Sequence, residues 1–266
     1  MGRQTISEQR SAARAPGDAP AHDGTLEPLR DAARAETAPR GLAVFRTQIF
    51  IALAVIALLI FSSLTLLVVE GLTASADLAT TRAVQSLAFP GAASLMIPTS
   101  WPGFPPQSML IVAATVVILW LAGYRPEAMF VLVAAASDIL TETIKIVVGR
   151  PRPDNSLVHV IAGATGASFP SGHTLFYVTF FGFLAYLAYA RLKHGWPRTV
   201  MILIFGLLIV LVGPSRIWMG QHWASDVLAS YTLGFVYLIV LIEVYSRYRL
   251  SRTPARPPAD VPSGED

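Results

Sequence analysis

Charged residues are scarce over most of this chain, and this scarcity limits the folds open to it. The chain has 266 residues and 37 of them are Asp, Glu, Lys or Arg, of which 12 fall within residues 1–40 and seven within residues 247–266. Only 18 remain for the 206 residues between, and 53% of the chain is hydrophobic. A soluble domain carries more charge than this, whereas a bilayer makes each charge costly. The composition predicts an all-α polytopic membrane protein and argues against a water-soluble enzyme.

Six apolar segments predict a bundle of six transmembrane helices. A helix needs about 20 apolar residues to cross the hydrocarbon core of a bilayer. By apolar continuity, the predicted spans are Gln48–Val69 and residues 108–124, 127–148, 173–191, 198–212 and 226–245. The second and the fifth are short, and a buried core helix is the alternative interpretation of either.

The two ends of the chain differ from its middle. Residues 1–40 contain no Phe, Trp or Tyr and are rich in Ala, Arg and Pro, so they cannot bury enough apolar surface to offset the entropy of ordering. We expect disordered tails at residues 1–40 and 247–266, on either side of a membrane domain at residues 41–246. The first apolar run begins only after Gln48, so it is interpreted as an uncleaved span rather than a signal peptide.

Lys and Arg near the span ends predict the orientation in the membrane. Ten fall on one side and five on the other, so the side with ten, which includes both termini, is predicted to be cytoplasmic. The five are Arg82, Lys145, Arg150, Arg152 and Arg216.

Because the arginines lie in tails and loop ends rather than in one basic stripe, nucleic acid is not expected as a partner. The chain has no Cys, which excludes disulfides and Cys-based metal sites.

The longest stretch between predicted spans, residues 71–107, holds aromatic residues among several prolines. This mixture suits irregular backbone at the membrane surface. A packed extracellular cap and a substrate gate are both open interpretations.

Three polar clusters interrupt the apolar pattern, and the predicted topology places all three on the non-cytoplasmic side. The first is Lys145, followed by the turn Gly149-Arg150-Pro151-Arg152-Pro153. Gly and Pro end the helix there, so two or three cations would meet at one membrane surface. Anchoring to lipid headgroups is the alternative interpretation.

The second cluster, Phe169-Pro170-Ser171-Gly172-His173, directly precedes the fourth predicted span. Ser171 is a good N-cap and Gly172 permits close backbone approach, so the positive helix end is a natural seat for an anion such as phosphate. A simple helix cap is the alternative interpretation.

The third cluster contains Ser215-Arg216, His222 and Asp226, between the fifth and sixth predicted spans. If the sixth helix already includes His222, Asp226 lies one turn further on the same face and can accept a proton from one imidazole nitrogen. The other nitrogen would then be a nucleophile. Metal binding and a structural hydrogen bond are the alternatives for this pair.

Together, the clusters hold the parts that phosphoryl transfer needs. Cations neutralise the phosphate oxygens, one histidine can attack, and the other can supply a proton to the leaving oxygen. A charge left unpaired at mid-bilayer costs roughly 2.5 to 3.5 kcal/mol, so convergence at one surface is better explained by a shared ligand than by chance. The residues alone do not identify the substrate.

In order and spacing, these clusters resemble the three signatures of the type 2 phosphatidic acid phosphatase family. The matching residues, without substitution, are Lys145 with Arg152-Pro153 after six intervening residues, Pro170-Ser171-Gly172-His173, and Ser215-Arg216 with His222 and Asp226. With the six spans, the resemblance covers about residues 48–246.

The resemblance implies a role for each signature residue. His222 would attack the phosphorus and form a phosphohistidine, Asp226 would orient it, and His173 would protonate the leaving oxygen and later activate water. The phosphate oxygens would be held by Lys145, Arg152, Arg216, Ser171 and the Gly172 backbone. The resemblance also implies no metal and no cofactor, in agreement with the lack of a carboxylate cluster suited to magnesium. Arg150 is not a signature position and is interpreted as a candidate headgroup contact.

Asp138 and Glu142 share a helical face with Lys145, at spacings of seven and three residues. Either they hold Lys145 in place, or they form a polar contact between helices with no role in catalysis.

The residues and the resemblance together favour a lipid phosphatase of the cytoplasmic membrane, with its site facing outward. Undecaprenyl diphosphate is the first substrate expected on family grounds, and phosphatidic acid, phosphatidylglycerophosphate and lipid A phosphate are the alternatives. A lipid phosphotransferase would carry the same motifs. A non-catalytic lipid-phosphate binder, transporter or scramblase would need the cations but no nucleophile. The oligomeric state is open.

Overall fold

The computed structural model describes residues 27–87, 90–161 and 163–252. Within these ranges the chain forms nine helices and no β-strand, so the all-α prediction is confirmed. The helices are α1 Glu27–Val69, α2 Ala74–Ser86, α3 Ala92–Ser100, α4 Gln107–Leu121, α5 Arg125–Ala135, α6 Ser137–Val148, α7 Gly172–Arg191, α8 Trp196–Trp218 and α9 Ala224–Ser251. A single 3-10 turn, Trp101–Gly103, follows α3.

The predicted tails lie only partly within the described residues. Residues 1–26 and 253–266 are outside them, so the disorder expected there stays a prediction. Helix α1 begins at Glu27 and helix α9 ends at Ser251, so both helices extend into the segments predicted as tails. The Ala- and Arg-rich sequence before Gln48 has high helix propensity, which lets the apolar helix begin earlier. The contacts described below all lie within the compact unit Ile49–Asp266.

Four helical segments are long and apolar enough to cross a membrane, namely Gln48–Val69 of α1, α7, α8 and α9. A fifth is formed if Ala92–Gly103 and α4 count as one span with a bend of 60° between them. The protein is therefore a multi-pass membrane protein, whereas six separate spans are not confirmed. The predicted span 108–124 is α4, which has only 15 residues, and the predicted span 127–148 is interrupted at Ala136.

The boundaries of α5 and α6 follow from local sequence. Pro126 lies in the first turn of α5, where its missing N–H costs nothing. After the interruption, Ser137 begins α6 and its hydroxyl is hydrogen-bonded to that of Thr179 on α7, at 2.8 Å. Helix α6 ends at Val148, and the capping residue Gly149 has a φ of +61°, which only glycine readily adopts. The turn that carries Arg152 begins there.

Helix α7 lies at the centre of the packing. Aromatic side chains of this helix contact one another, with ring centroids 5.0 Å apart for Phe176 and Phe180 and 4.9 Å apart for Tyr177 and Phe181. The buried partners from other helices are Val131, Ala134, Val212, Leu241 and Tyr245. Because α5, α8 and α9 all pack against α7, the position of its first residues is well defined.

The stretch 71–107 contains helices, so the prediction of irregular backbone is wrong for most of it. Prolines tolerate the start of a helix because no N–H is needed there, and Pro102 and Pro106 lie at such positions. Helix α3 is fastened to the bundle because the Tyr177 hydroxyl donates to the Thr99 carbonyl at 2.6 Å and the Ser215 hydroxyl donates to the Met96 carbonyl at 2.6 Å.

Candidate active site

The three polar clusters come together at the N-terminal end of α7. Arg152, in the turn after α6, has its Nη1 atom 3.1 Å from Nε2 of His222. On the other side of the α7 terminus, a Cβ atom added to Gly172 would lie 3.8 Å from Nζ of Lys145. The signatures are therefore neighbours in space although they are far apart in the chain.

The remaining predicted site residues are His173, Arg216 and Asp226. The first two contact the ring of Phe104, and Asp226 contacts the backbone of Ser171. The Phe104 ring lies edge-on to the imidazole of His173, with centroids 4.5 Å apart, and the guanidinium carbon of Arg216 is 5.0 Å from the same ring. The Ser171 N–H points at the Asp226 carbonyl oxygen over 3.4 Å. All eight predicted site residues thus form one cluster. The described part of the chain holds no group of three or more His, Cys, Asp or Glu residues that could bind a metal ion.

Three neighbours orient the ring of His222. Its Nδ1 atom lies 2.8 Å from the Ser168 carbonyl oxygen and its Nε2 atom 3.1 Å from Arg152. Because a guanidinium can only donate, Nε2 is the acceptor and Nδ1 carries the hydrogen, which it donates to Ser168. Asp226 Oδ2 is 3.6 Å from Nδ1, an electrostatic contact beyond hydrogen-bond length. The sequence predicted that Asp226 accepts the hydrogen of this imidazole, whereas in the structure the Ser168 carbonyl accepts it.

The start of α9 explains this difference. The helix begins at Ala224, so His222 precedes it instead of lying on its first turn. Asp226 occupies the third helical position, and its Oδ2 atom accepts a hydrogen bond from the Trp223 N–H at 2.9 Å. This hydrogen bond to the N-cap backbone fixes the carboxylate at the helix terminus. Asp226 therefore acts on His222 by charge across a short gap.

Burial sets the protonation state of His222. Its side chain is 2% exposed, and desolvation lowers its pKa to about 4, with Asp226 opposing the shift and Arg216 and Arg152 adding to it. The imidazole is therefore neutral near pH 7. Its Nε2 lone pair faces the cations.

Arg150 is held by two carboxylates, so the interpretation of it as a headgroup contact is not supported by its position. Its Nη1 atom is 2.5 Å from Asp226 Oδ1, and its Nη2 atom is 2.6 Å from Asp77 Oδ2. Asp77, on α2, also accepts hydrogen bonds from the Ser225 N–H at 2.8 Å and the Ser225 hydroxyl at 2.7 Å. Sequence reasoning missed Asp77 and Ser225. The only available signal was that Asp77 is one of the few acids in the apolar middle.

Several buried nitrogen atoms in the cluster have no partner among the described residues. They include Nε and Nη1 of Arg216, a residue only 2% exposed, and Nε2 of His173. The remaining guanidinium nitrogen of Arg216 donates to Gln221 Oε1. A buried donor without an acceptor costs about 1 to 3 kcal/mol. Such donors suit a ligand rich in acceptor oxygens, as a phosphate is.

Lys145 and Ser171 belong to the same cluster of predicted site residues. Nζ of Lys145 is 2.7 Å from Glu142 Oε1, so Glu142 is the partner that holds the lysine, as one of the two interpretations expects. Asp138 makes no hydrogen bond or ion pair within the described residues, and its role stays open. Ser171 is the N-cap residue of α7, as predicted, but its hydroxyl accepts a bond from Thr174 at 3.0 Å instead of capping the backbone.

The segment between α3 and α4 covers His173. A Cβ atom at Gly103 would lie only 2.5 Å from Cδ2 of His173, so glycine is required for this close approach. Phe104 follows and contacts both His173 and Arg216. Packing of Gly103 and Phe104 onto the cluster favours the interpretation of this part of residues 71–107 as a packed cap. No motif in the sequence marks these two positions.

Comparison with known proteins agrees with the signatures. Residues 126–249 match the model of the PAP2 superfamily, which confirms the resemblance. Phosphatidylglycerophosphatase B of Bacillus subtilis is 33% identical over 113 residues, covering 41% of this chain and 52% of that protein. Undecaprenyl-diphosphatase BcrC of the same species is 35% identical over 137 residues, covering 47% of this chain and 64% of that protein. The chain thus spans less than two thirds of the length of either relative.

A solved structure shares the fold. The transmembrane PAP2-type phosphatidylglycerolphosphate phosphatase from Bacillus subtilis superposes with a TM-score of 0.64, covering 76% of this chain and 98% of that one. At 23% sequence identity, this similarity concerns the helical architecture. The similarity extends well beyond residues 126–249, so it includes helices outside the family match.

Proposed function

We propose that this protein is an integral membrane lipid phosphatase that removes a terminal phosphate through a phosphohistidine intermediate. The proposal rests on one observation: the lone pair of a neutral histidine, His222, faces Arg152 in a buried cluster that also holds Arg216 and His173 nitrogen atoms without a partner among the described residues. A structural histidine would have no need of such surroundings. The phosphatase names of the relatives support this assignment.

In the first step, Nε2 of His222 attacks the phosphorus and a phosphorus–nitrogen bond forms. The bond from phosphorus to the leaving oxygen breaks, and that oxygen takes the bonding electrons and a proton from protonated His173. Arg152 and Arg216 neutralise the charge on the other phosphate oxygens, with Lys145 at the α7 terminus. The imidazolium that develops is stabilised by the Ser168 carbonyl and the charge of Asp226.

In the second step, water replaces His222 on the phosphorus. Neutral His173 takes a proton from the attacking water, the new phosphorus–oxygen bond forms, and the phosphorus–nitrogen bond breaks. The lone pair returns to Nε2 of His222, and His173 keeps the proton for the next cycle. The step consumes one water and releases inorganic phosphate.

The substrate is proposed to be a lipid phosphate or diphosphate, with undecaprenyl diphosphate first. Phosphatidic acid, phosphatidylglycerophosphate and lipid A phosphate are the alternatives. A mostly apolar cavity of about 460 Å³, lined by residues such as Val68, Leu78 and Leu157, reaches Trp223 beside His222. Its size is in the range of ligand sites. This cavity supports a lipid tail lying next to the reacting phosphate.

We place the active site on the outer face of the cytoplasmic membrane, with both termini in the cytoplasm. This requires α4 and the α5–α6 pair each to cross once, in addition to the four long apolar helices, which makes six spans. The asymmetry of Lys and Arg supports the orientation. The break at Ala136 would be sheltered by α7, since interrupted backbone in a bilayer needs protein around it.

Phosphate release by the purified protein in EDTA would test the proposal, with undecaprenyl diphosphate, phosphatidic acid and phosphatidylglycerophosphate compared side by side. His222→Ala should abolish release from every lipid. His159→Ala is the matched control, because His159 is exposed and lies outside the cluster. Full activity in His222→Ala would refute the mechanism, and no release by the wild-type protein would favour a transferase or a binding protein.

The closest alternative, a lipid phosphotransferase, uses the same first step. It differs only in the acceptor of the phosphoryl group, so product analysis with labelled phosphate separates the two. A non-catalytic binder or transporter would show neither product.

A further inference from the structure

A buried acid lies among arginines at the opposite end of the bundle from the candidate active site. Glu127 of α5 is 2% exposed, and its Oε1 atom accepts hydrogen bonds from Arg191 and from the Tyr245 hydroxyl, the latter at 2.7 Å. Arg249 Nη1 is 3.6 Å from the same oxygen. Arg191 follows His173 by 18 residues along α7, which corresponds to roughly 27 Å of helix. This cluster is therefore remote from the catalytic histidines.

Two neighbouring cavities meet at this cluster. One, of about 310 Å³, lies between α4, α7 and α8, and its walls are almost entirely apolar, with Leu119, Leu187 and Phe205 among them. The other, of about 350 Å³, is lined by Arg249 and Arg252. Glu127 and Arg191 line both cavities. The first cavity is called the apolar slot below and the second the basic mouth, and the two share one wall.

The charges at the mouth define the chemistry of a ligand. Arg191, Arg249 and Arg252 outnumber the single carboxylate of Glu127, so the mouth favours an anion. The Oε2 atom of Glu127 is buried and has no hydrogen-bond partner among the described residues, so it would take a donor from the ligand. A headgroup that combines a phosphate with a hydroxyl meets both requirements, and an acyl chain fits the apolar slot.

We infer that these two cavities form a second lipid site, which binds an anionic phospholipid with a hydroxyl-bearing headgroup, such as phosphatidylglycerol. The phosphate lies against Arg249 and Arg252, a headgroup hydroxyl donates to Glu127 Oε2, and one acyl chain occupies the slot beside Leu119 and Phe205. Basic pockets between transmembrane helices are known to suit anionic headgroups. This site is separate from the proposed phosphatase chemistry and does not depend on it.

Native mass spectrometry of the purified full-length protein with added phosphatidylglycerol tests the inference. The wild type should retain one tightly bound lipid. Loss of an arginine near a lipid phosphate weakens binding about fivefold, so Arg249→Gln/Arg252→Gln should weaken it about 25-fold. The matched control is Arg198→Gln/Arg247→Gln, which removes two charges at the same end from residues that line neither cavity. Circular dichroism and gel filtration establish that each variant is folded, and Arg249→Lys/Arg252→Lys should keep most of the affinity.

Measurements with other ligands and another variant identify the ligand and the place where it binds. Phosphatidylcholine should bind more weakly than phosphatidylglycerol, and glycerol 3-phosphate should not compete, because it lacks the acyl chain. Equal weakening in both double Gln variants would mean general surface electrostatics and would overturn the inference. So would loss of the bound lipid in Arg216→Gln with retention in Arg249→Gln/Arg252→Gln, since the lipid would then lie at the catalytic end.

Discussion

Asp77 lies outside the three signatures, yet in the structure it supports Asp226, the carboxylate proposed to act on His222. Its side chain is 4% exposed and its partner Arg150 is 11% exposed. Through Arg150 it is linked to Asp226, and through Ser225 it holds the first turn of α9. Asp77→Asn keeps the shape of the side chain, but it removes the charge and places an NH2 group or an uncharged oxygen opposite the donors of Arg150 and Ser225.

The cost of this change can be worked out from the contacts. Removing one partner of a buried ion pair costs about 3 to 5 kcal/mol when the other charge is left uncompensated. Arg150 keeps Asp226 at 2.5 Å, so the lower end, about 3 kcal/mol, is expected for the loss in free energy of unfolding. The turnover number should also fall, by up to about 100-fold, because Asp226 shifts relative to His222. KM should change little, since Asp77 contacts Arg150 and Ser225 and none of the residues proposed to hold the phosphate.

Equilibrium unfolding in mixed detergent micelles measures the first quantity, and phosphate release measures the second. A double-mutant cycle with Arg150→Gln isolates the Asp77–Arg150 interaction. Asp154→Asn is the control, because Asp154 is an exposed acid whose carboxylate, among the described residues, bonds only to nearby Ser156, and it should leave both quantities unchanged. If the effects of Asp77→Asn and Arg150→Gln add within about 0.5 kcal/mol, the two residues are independent and the reasoning fails.

Four further outcomes are expected. In the His222→Ala variant no phosphohistidine should be trapped from labelled substrate, and a trapped phosphoenzyme would point to another nucleophile. Arg216→Ala should lower the turnover number by about 100- to 1,000-fold, as for loss of one transition-state donor, and an unchanged catalytic efficiency would argue against its role. Because burial lowers the pKa of His222 to about 4, the nucleophile should stay neutral until the pH falls through that value, and an NMR titration midpoint near 6.5 would contradict this. A single Cys at Ser156 should react with an impermeant reagent from outside the cell, whereas labelling only from the cytoplasm would invert the topology.

Long apolar runs were readable from the sequence because crossing a bilayer imposes a local requirement on composition. The span predicted at Gln48–Val69 lies in a helix that is long and apolar enough to cross a membrane, and the other long apolar helices lie where they are expected. The predicted span at 127–148 shows the limit of this reasoning, because mean hydropathy does not detect a break at Ala136. The helices within residues 71–107 were missed because neither α2 nor α3 is long enough to be an apolar span, and because α3 contains Pro98, a residue that usually indicates irregular backbone.

The sequence predicted those features of the site that depend on the identity of the side chains. Two histidines, a carboxylate and several cations in ordered motifs indicated a phosphate site, and the structure brings these residues together. Hydrogen-bond partners were not predictable. The orientation of His222 depends on the Ser168 carbonyl, and every residue has a carbonyl, so no sequence pattern could single it out.

The sequence by itself determined that this chain spans a membrane and that its polar motifs suit phosphate, because both follow from the cost of charge in lipid and from the identities of the side chains. The tertiary structure alone decided how those motifs are supported. Asp77 and Arg150 are separated by 73 residues, and Gly103 and Phe104 reach His173 only because α3 packs on α7 and α8. The basic mouth at Glu127 likewise exists only because the start of α5 and the ends of α7 and α9 lie together. Contacts between distant segments depend on packing geometry, which local sequence does not encode.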